Sequence, residues 1–270
     1  MVELSRPVTW TLRVVVVGYV FFLIGWPLLT LVQRSFAHGL SYFQTALADP
    51  DVVHALEVTV EVSVWAVIIN TVFGVGMALL LVRCEFPGKR GLSALIDLPM
   101  SVSPVVIGLA LLLVYNGRDG WFGPSLEAHG IVVIFNSPAM IMATCFVALP
   151  LVVREVVPVL TEIGDDQEQA ARSLGANAFQ TMRRITLPAI KWAVVYGVVL
   201  SLARSLGEFG ALKIVSGNIS GQTQTAPLVV EQKYQNFAQG EAYAVAFLLV
   251  LVSVICIVVV SLLRPEESSS

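Results

Sequence analysis

The chain has 270 residues, of which 56% are hydrophobic and 13% charged, with a mean hydropathy of +0.81. A soluble domain carries about a quarter charged residues, so the composition excludes a water-soluble domain and points to an integral membrane protein large enough for one helical bundle. The net charge of −3 argues against a nucleic-acid partner.

Met1 to Arg13 reads as a short cytoplasmic segment, and Val14 to Val32 as the first apolar run of spanning length. It is longer than a signal core, and the bulky Gln33-Arg34-Ser35-Phe36 that follows offers no small-x-small cleavage site, so it reads as a retained helix. Arg34 to Ala55 is polar and reads as outside. Leu56 to Val82 is the second span, with Glu57 and Glu61 near the outer interface and Gly74 and Gly76 allowing close helix approach. Arg83 to Gly91 is a turn with Pro87-Gly88 and three basic residues.

The third span, Leu92 to Tyr115, carries Pro99 and Pro104 with Ser101 and Ser103 between them. Proline removes a backbone donor and frees a carbonyl, which hydrocarbon tolerates only where protein or water satisfies it. A kinked or interrupted helix facing the bundle interior is expected. Asn116 to Asn136 reads as an outer loop and Ser137 to Pro158 as the fourth span. Thr161 to Leu187 is a long cytoplasmic loop. Ile190 to Val215 is the fifth and least hydrophobic span, Ser216 to Gly240 an outer polar loop, and Glu241 to Leu263 the sixth span. Residues 264–270 form a short polar tail.

Charge sets orientation. The segments read as inside, with the span ends that border them, hold Arg6, Arg13, Arg83, Lys89, Arg90, Arg154, Arg172, Arg183, Arg184, Lys191 and Arg264, whereas the outside segments hold only Arg34, Arg118 and Lys233. That excess places both termini in the cytoplasm. The expectation is an all-α membrane protein with six spans over residues 14–263. The cysteines Cys84, Cys145 and Cys256 lack metal-ligand spacing and read as packing residues, and His38, His54 and His129 are far apart in sequence, so no metal site is expected.

The cytoplasmic loop carries helix punctuation. Asp165 with Glu168 fits an acidic capping box, a first helix can run to Leu174 and stop at Gly175, and Asn177 can cap a second helix over 178–186, closed by Pro188. Phe179, Met182 and Ile185 recur as an apolar stripe beside Arg183 and Arg184. From pattern alone, a docking surface for a partner and a solvated connector on the membrane surface stand equally.

The same loop resembles the signature loop of ABC importer permeases, which reads Glu-Ala-Ala, a Gly four residues after the second Ala, and Ile-x-Leu-Pro beginning ten residues beyond the Gly. Here Ala170, Ala171, Gly175, Ile185, Leu187 and Pro188 match, while Gln169 stands for the glutamate and Glu168 lies one residue early. Ser103 to Leu112, Asn116 to Gly123, Ile190 to Leu200 and Ala203 to Ala211 are similar to the sulfate/thiosulfate importer permeases, nearest the W-type subunit. The Gly-Glu-Phe-Gly element at 207–210 is shared with molybdate permeases.

The resemblance implies a type I importer permease fold and a coupling loop over 161–188. It also implies a heterodimer with a homologous T-type permease, two ATPase subunits, an extracytoplasmic sulfate-binding protein and surrounding membrane lipid. No GxxxxGK[ST] phosphate loop occurs in the chain, so ATP and its magnesium are expected on the partner subunits, with no cofactor or catalytic residue here. A molybdate or tungstate permease is the nearest rival; an ion-coupled secondary transporter and, last, a membrane enzyme are rivals of other classes.

Within the fifth span, Arg204 and Glu208 stand four residues apart. Charges at this depth cost at least about 2.5–3.5 kcal/mol each on insertion scales unless compensated. They read either as lining the anion path with Ser201 and Ser205, and with Ser101 and Ser103 of the third span, or as an internal ion pair bracing the helix.

Overall fold

The computed structural model describes residues 6–263, with side chains from Val8 to Val259. The helices are α1 (Arg6–Val20), α2 (Trp26–Ser35), α3 (Ser41–Ala48), α4 (Pro50–Arg83), α5 (Lys89–Ser101), α6 (Pro104–Tyr115) and α7 (Gly123–Ala128), followed by α8 (Ser137–Ile163), α9 (Asp166–Ser173), α10 (Ala178–Thr181), α11 (Leu187–Leu206), α12 (Leu212–Val215), α13 (Ala226–Gln235) and α14 (Gln239–Leu263). No strand occurs among the described residues. One-turn π segments at Phe21–Gly25 and Met182–Thr186 join α1 to α2 and α10 to α11.

Five helical stretches are long and apolar enough to cross a membrane: Val8–Ser35, Pro50–Arg83, Ser137–Ile163, Ala178–Leu206 and Gln239–Val259. The sixth is the broken pair α5–α6, bent by 112°. At about 1.5 Å per residue neither half alone reaches across a hydrocarbon core of about 30 Å. Pro104 causes the break. A residue before proline is driven to extended backbone, and Ser103 has φ −61°, ψ 134°, with Val102 extended as well. Pro99, by contrast, sits buried inside α5 without ending it.

The core follows from three close helices. Cys145 Sγ lies 3.8 Å from the Ala66 carbonyl, Gly74 faces Val152, and Arg83 Nη1 donates to the Leu160 carbonyl at 3.1 Å, so α4 and α8 run parallel. A chain that leaves the end of α4 and begins a parallel α8 must return to the opposite side, so α5–α6 is a crossing and the spans number six. α11 runs back along both. Ile190 packs with Val156 and Leu160 near the α8 C-terminus, while Leu212 and Val215 pack with Met140 near its start. Gly74 and Gly197 make this closeness possible, since a β-carbon at Gly74 would fall 2.8 Å from Val152 Cγ1 and one at Gly197 3.0 Å from Val152 Cα.

Several sequence expectations need correction. The outer segments are not plain loops: α3 lies within 34–55, α7 within 116–136 and α13 within 216–240. α13 buries Ala226, Leu228 and Val229, and Ala226 and Val229 pack with Val52, Ala55 and Val245. The second span starts at Pro50, capped by the Asp49 side chain, which accepts from the Asp51 N–H at 3.0 Å. The fourth continues past Pro150 and Pro158 to Ile163. The fifth ends at Leu206 rather than Val215, because Gly207 and Glu208 interrupt it before the separate turn of α12. The tail 264–270 and residues 1–5 lie outside the described residues.

At the end of the bundle away from the 164–186 loop, Lys233 Nζ is held 2.6 Å from Asp49 Oδ2 and 2.8 Å from Glu241 Oε2, tying α13 to the starts of α4 and α14. The hydrogen bond from Lys233, opposed in part by burial, holds the Asp49 carboxyl below its ordinary 3.8. For Lys233, burial pulls the ammonium down, but its bonds to Asp49 and Glu241 outweigh this and raise it above 10.5. A depressed carboxylate stabilises above its unfolded pKa and a raised ammonium below its own. The clamp is therefore complete between about pH 4 and pH 10, weakening on acidification through the lowered Asp49 value and on alkalinisation above the raised Lys233 value. Lys233→Gln is expected to cost about 1 kcal/mol across that window, as measured by thermal unfolding in detergent. A wild-type melting temperature unchanged by the substitution at pH 7 would refute the clamp.

Candidate coupling loop and translocation path

The loop between α8 and α11 folds as a short helix, a glycine turn and a second helix that runs into the fifth span. α9 ends in a Schellman turn: the Ala176 N–H donates to the Ala171 carbonyl at 3.0 Å and the Gly175 N–H to the Arg172 carbonyl at 2.9 Å. Gly175 sits at φ +90°, where L side chains are disfavoured. Asn177 then forms a full capping box with Gln180, accepting from the Gln180 N–H at 2.8 Å and donating its own N–H to Gln180 Oε1 at 3.0 Å.

Two expectations fail here for physical reasons. Asp165 does not form a capping box with Glu168. It makes no side-chain cap but accepts from Gln169 Nε2 at 2.8 Å, while Glu168 turns inward to Arg83 and Thr186. Nor does Pro188 close the second helix. The π turn Met182–Thr186 takes its bonds in a wider register, with the Leu187 N–H donating to the Met182 carbonyl. A proline ring otherwise clashes with the carbonyl four residues back; here the wider turn lets α10 and α11 run on as one span.

The residues aligned with the loop signature differ in exposure. Gln169, Ala170, Gly175, Leu187 and Pro188 are exposed, Ala171 and Ile185 are half-buried, and Glu168 is buried at 7% exposure. A β-carbon added at Gly175 would meet nothing within 4 Å. The apolar stripe is split: Phe179 is 70% exposed, whereas Met182 and Ile185 are half-buried against the chain itself. Leu174, passed over in the sequence as the last residue of a helix, is 90% exposed. A polar end of the molecule thus displays Leu174 and Phe179 on either side of the Gly175 turn, with Arg183 and Arg184 exposed nearby.

In the membrane half, two chain breaks meet. Gly210 approaches Pro104 and Val105, and a β-carbon on Gly108 would fall 2.8 Å from the Ala211 carbonyl oxygen. The break before α6 and the break before α12 are therefore in contact, which brings Ser103 beside the 207–211 segment. Ser101 and Ser103 are exposed. Ser201 and Ser205 are buried; Ser205 donates to the Ser201 carbonyl at 2.7 Å, and the Ser201 hydroxyl has no partner among the described residues. Arg204 Nη1 lies 2.9 Å from Glu208 Oε2, the arginine side chain 39% and the glutamate 1% exposed. Glu208 Oε1 accepts from the Ala211 N–H at 3.0 Å, so the carboxylate also holds the start of α12. Glu208 lies past the end of α11, and the pair is made across the helix terminus rather than along one helix face. Lys213, placed by sequence in the fifth span, belongs to α12, where its ammonium lies 5.2 Å from the centre of the Phe209 ring and pairs with Glu231.

Asp97 accepts from Arg154 Nε at 2.9 Å, linking the first half of the broken span to α8. Arg83 and Thr186 are the residues that sequence reasoning missed. Arg83 looked like one more basic residue of a turn, and nothing local announces a partner 85 positions away. Among the described residues no group of three or more histidines, cysteines or carboxylates is placed to hold a metal ion.

Residues 70–265 match the binding-protein-dependent transport system inner membrane component. The chain belongs to that family. As such an inner membrane component it is 48% identical over 91% of its length to the sulfate transport system permease protein CysW of Synechococcus elongatus, covering 86% of that protein. It is 41% identical to the CysW permease protein of Escherichia coli K12 over 96% of this chain and 90% of that one. To the sulfate transport system permease protein CysT of Synechocystis it is 32% identical, over 93% and 87% of the two chains. A solved bacterial ABC transporter that imports the acidic polysaccharide alginate has the same fold, with a TM-score of 0.79 at 15% identity over 97% of this chain and 96% of that one. The fold is thus that of an ABC importer permease, and the protein is a transport subunit.

Proposed function

We propose that this chain is one half of the membrane pore of an ATP-driven sulfate importer, with thiosulfate as a second anion. The observation that carries the anion is that the relatives are sulfate transport permease proteins, the CysW ones 40–48% identical over at least 91% of this chain and the CysT ones 32–37% identical. The same contrast supports a heterodimer with a T-type permease rather than a pair of identical chains. The loop end of the bundle is cytoplasmic in this reading, and the residues there are Lys/Arg-rich as cytoplasmic segments are. Both termini lie on that side, the chain sits in a bacterial inner membrane, and an extracytoplasmic binding protein delivers anion to the opposite end.

On the cytoplasmic face, Gln167 to Pro188 takes hold of one of two ATPase subunits, which carry the ATP and magnesium. Leu174 and Phe179 supply apolar contact, Gln169 and Ala170 the exposed face of α9, and Arg183 and Arg184 the charge. Approach of the two ATPases brings the coupling helices together and switches the pore between inward and outward access by rigid-body motion. The anion passes beside the meeting point of the two chain breaks, where Ser101 and Ser103 are exposed. Selectivity rests mainly on the binding protein.

Uptake of radiolabelled sulfate by the complete importer in proteoliposomes tests the reading. The expected result is ATP-dependent uptake, suppressed by thiosulfate and indifferent to a tenfold excess of molybdate. Uptake driven by an ion gradient without ATPase subunits, or molybdate transported in preference, would overturn it.

A further inference from the structure

An eight-residue helix such as α9 has no stability of its own in water, and the segment that follows it turns through a glycine. A push applied to its exposed face would be absorbed by those flexible ends unless α9 is fixed to the bundle by something other than its chain connections. The fixing point is Glu168. Its carboxylate, 7% exposed, accepts from Arg83 Nε at 3.2 Å through Oε2 and from the Thr186 hydroxyl at 2.9 Å through Oε1.

Arg83 is the last residue of α4, and its guanidinium does more than neutralise Glu168. Nη1 donates to the Leu160 carbonyl at 3.1 Å and Nη2 to the Gly164 carbonyl at 2.6 Å. These oxygens belong to the C-terminal turn of α8, where helix carbonyls lose their internal donors. Thr186, 4% exposed, is the last residue of the π turn that opens the fifth span. One carboxylate and one guanidinium therefore join the C-terminal ends of α4 and α8, the first turn of α9 and the residue that leads into α11. α4, α8 and α11 are the three helices that build the core.

We propose that Arg83, Glu168 and Thr186 form the joint that makes α9 move as one body with α4, α8 and α11, and that they are positioning residues for the coupling of ATP hydrolysis to transport. This deepens the import reading given above and rests on it. The chemistry suits the task. A planar guanidinium forms several bonds in fixed directions, which a lysine ammonium does not. Burial keeps the charge-assisted bonds from exchanging with water. Glu168 is buried against Arg83 and Thr186, so its effect is on the transmission of motion.

The test is the ratio of sulfate imported to ATP hydrolysed, measured in the same proteoliposomes with the complete importer and its binding protein. Glu168→Gln turns an amide donor toward the Arg83 guanidinium, and Arg83→Gln removes the fork. In both, hydrolysis should continue while the ratio falls about five-fold, within the range by which residues carrying coupling change it. Arg83→Lys keeps the charge and should recover part of the ratio. Thr186→Val deletes one hydroxyl, should leave assembly intact and should lower the ratio about two-fold.

Uptake and hydrolysis that fall together, at constant ratio and in proportion to assembled complex, would make the cluster a plain structural brace and overturn the proposal. If the Glu168 and Arg83 variants fail to assemble, Thr186→Val decides, and an unchanged ratio there overturns it equally. A wild-type importer that shows no ATP-driven uptake at all would sink the import reading instead.

Discussion

Gly175→Asp should reduce ATP-driven uptake at least about ten-fold, the loss produced by 1.4 kcal/mol of docking energy, while the chain remains folded. The backbone at Gly175 has φ +90°, where an L residue costs about 1–2 kcal/mol and aspartate and asparagine cost less than most. Space is not the obstacle, since a β-carbon there meets nothing within 4 Å. What the substitution changes is the surface: a carboxylate would stand between Leu174 and Phe179, the two most exposed large apolar groups of the loop. Gly175→Asn imposes nearly the same backbone cost without the charge, so it should retain most of the uptake. Co-purification of the ATPase with each variant separates lost docking from lost folding. Equal behaviour of the Asp and Asn variants would trace the effect to the backbone, and normal uptake by the Asp variant would reduce the loop to a connector.

Arg204→Gln should be among the most destabilising substitutions in the membrane half. Glu208 is 1% exposed and lies 2.9 Å from Arg204. Removing one partner of a buried pair strands the other charge at a cost of about 3–5 kcal/mol. Glu208→Gln should be milder, because its amide oxygen can still accept from the Ala211 N–H and Arg204, 39% exposed, keeps access to polar surroundings. The double substitution removes both charges and should recover folded protein. Uptake should recover with it, because a carboxylate this deeply buried acts as a brace for α11 and α12. Yield and thermal unfolding in detergent follow the first effect and radiolabelled sulfate uptake the second. A double variant that folds and assembles yet does not import would assign the pair to the anion path.

The spans were legible in the sequence because hydrocarbon imposes a length and a composition that no soluble element shares. Pro104 likewise announced the break in the third span, since its effect on Ser103 is local. The 112° bend was not legible, for it depends on Gly108 and Gly210 admitting another segment. The short helices α3, α7 and α13 escaped notice because their polarity matches that of a loop, and their buried faces are small. Within the loop, Asn177 and Gly175 behave as their types predict, each acting on neighbours three or four positions away. Glu168 does not. A local N–H and a distant guanidinium compete for its carboxylate, and only the fold shows that Arg83 is within reach. Pro188 misled for a related reason: the widened turn before it, invisible in residue types, lets the helix continue.

The span Val8–Ser35 has none of its most apolar stretch buried within the chain, although its last residue, Ser35, is fully buried and donates to the Tyr243 carbonyl at 2.9 Å. A segment so little buried by its own chain is specified more by its solubility in oil than by complementarity to its own neighbours. Most of its positions therefore accept any apolar residue as far as this subunit is concerned. Any stricter requirement along its length records contact with another molecule. Patterns of tolerance along residues 8–35 would thus report on the surroundings of the subunit, while those along α4, α8 and α11 report on its interior.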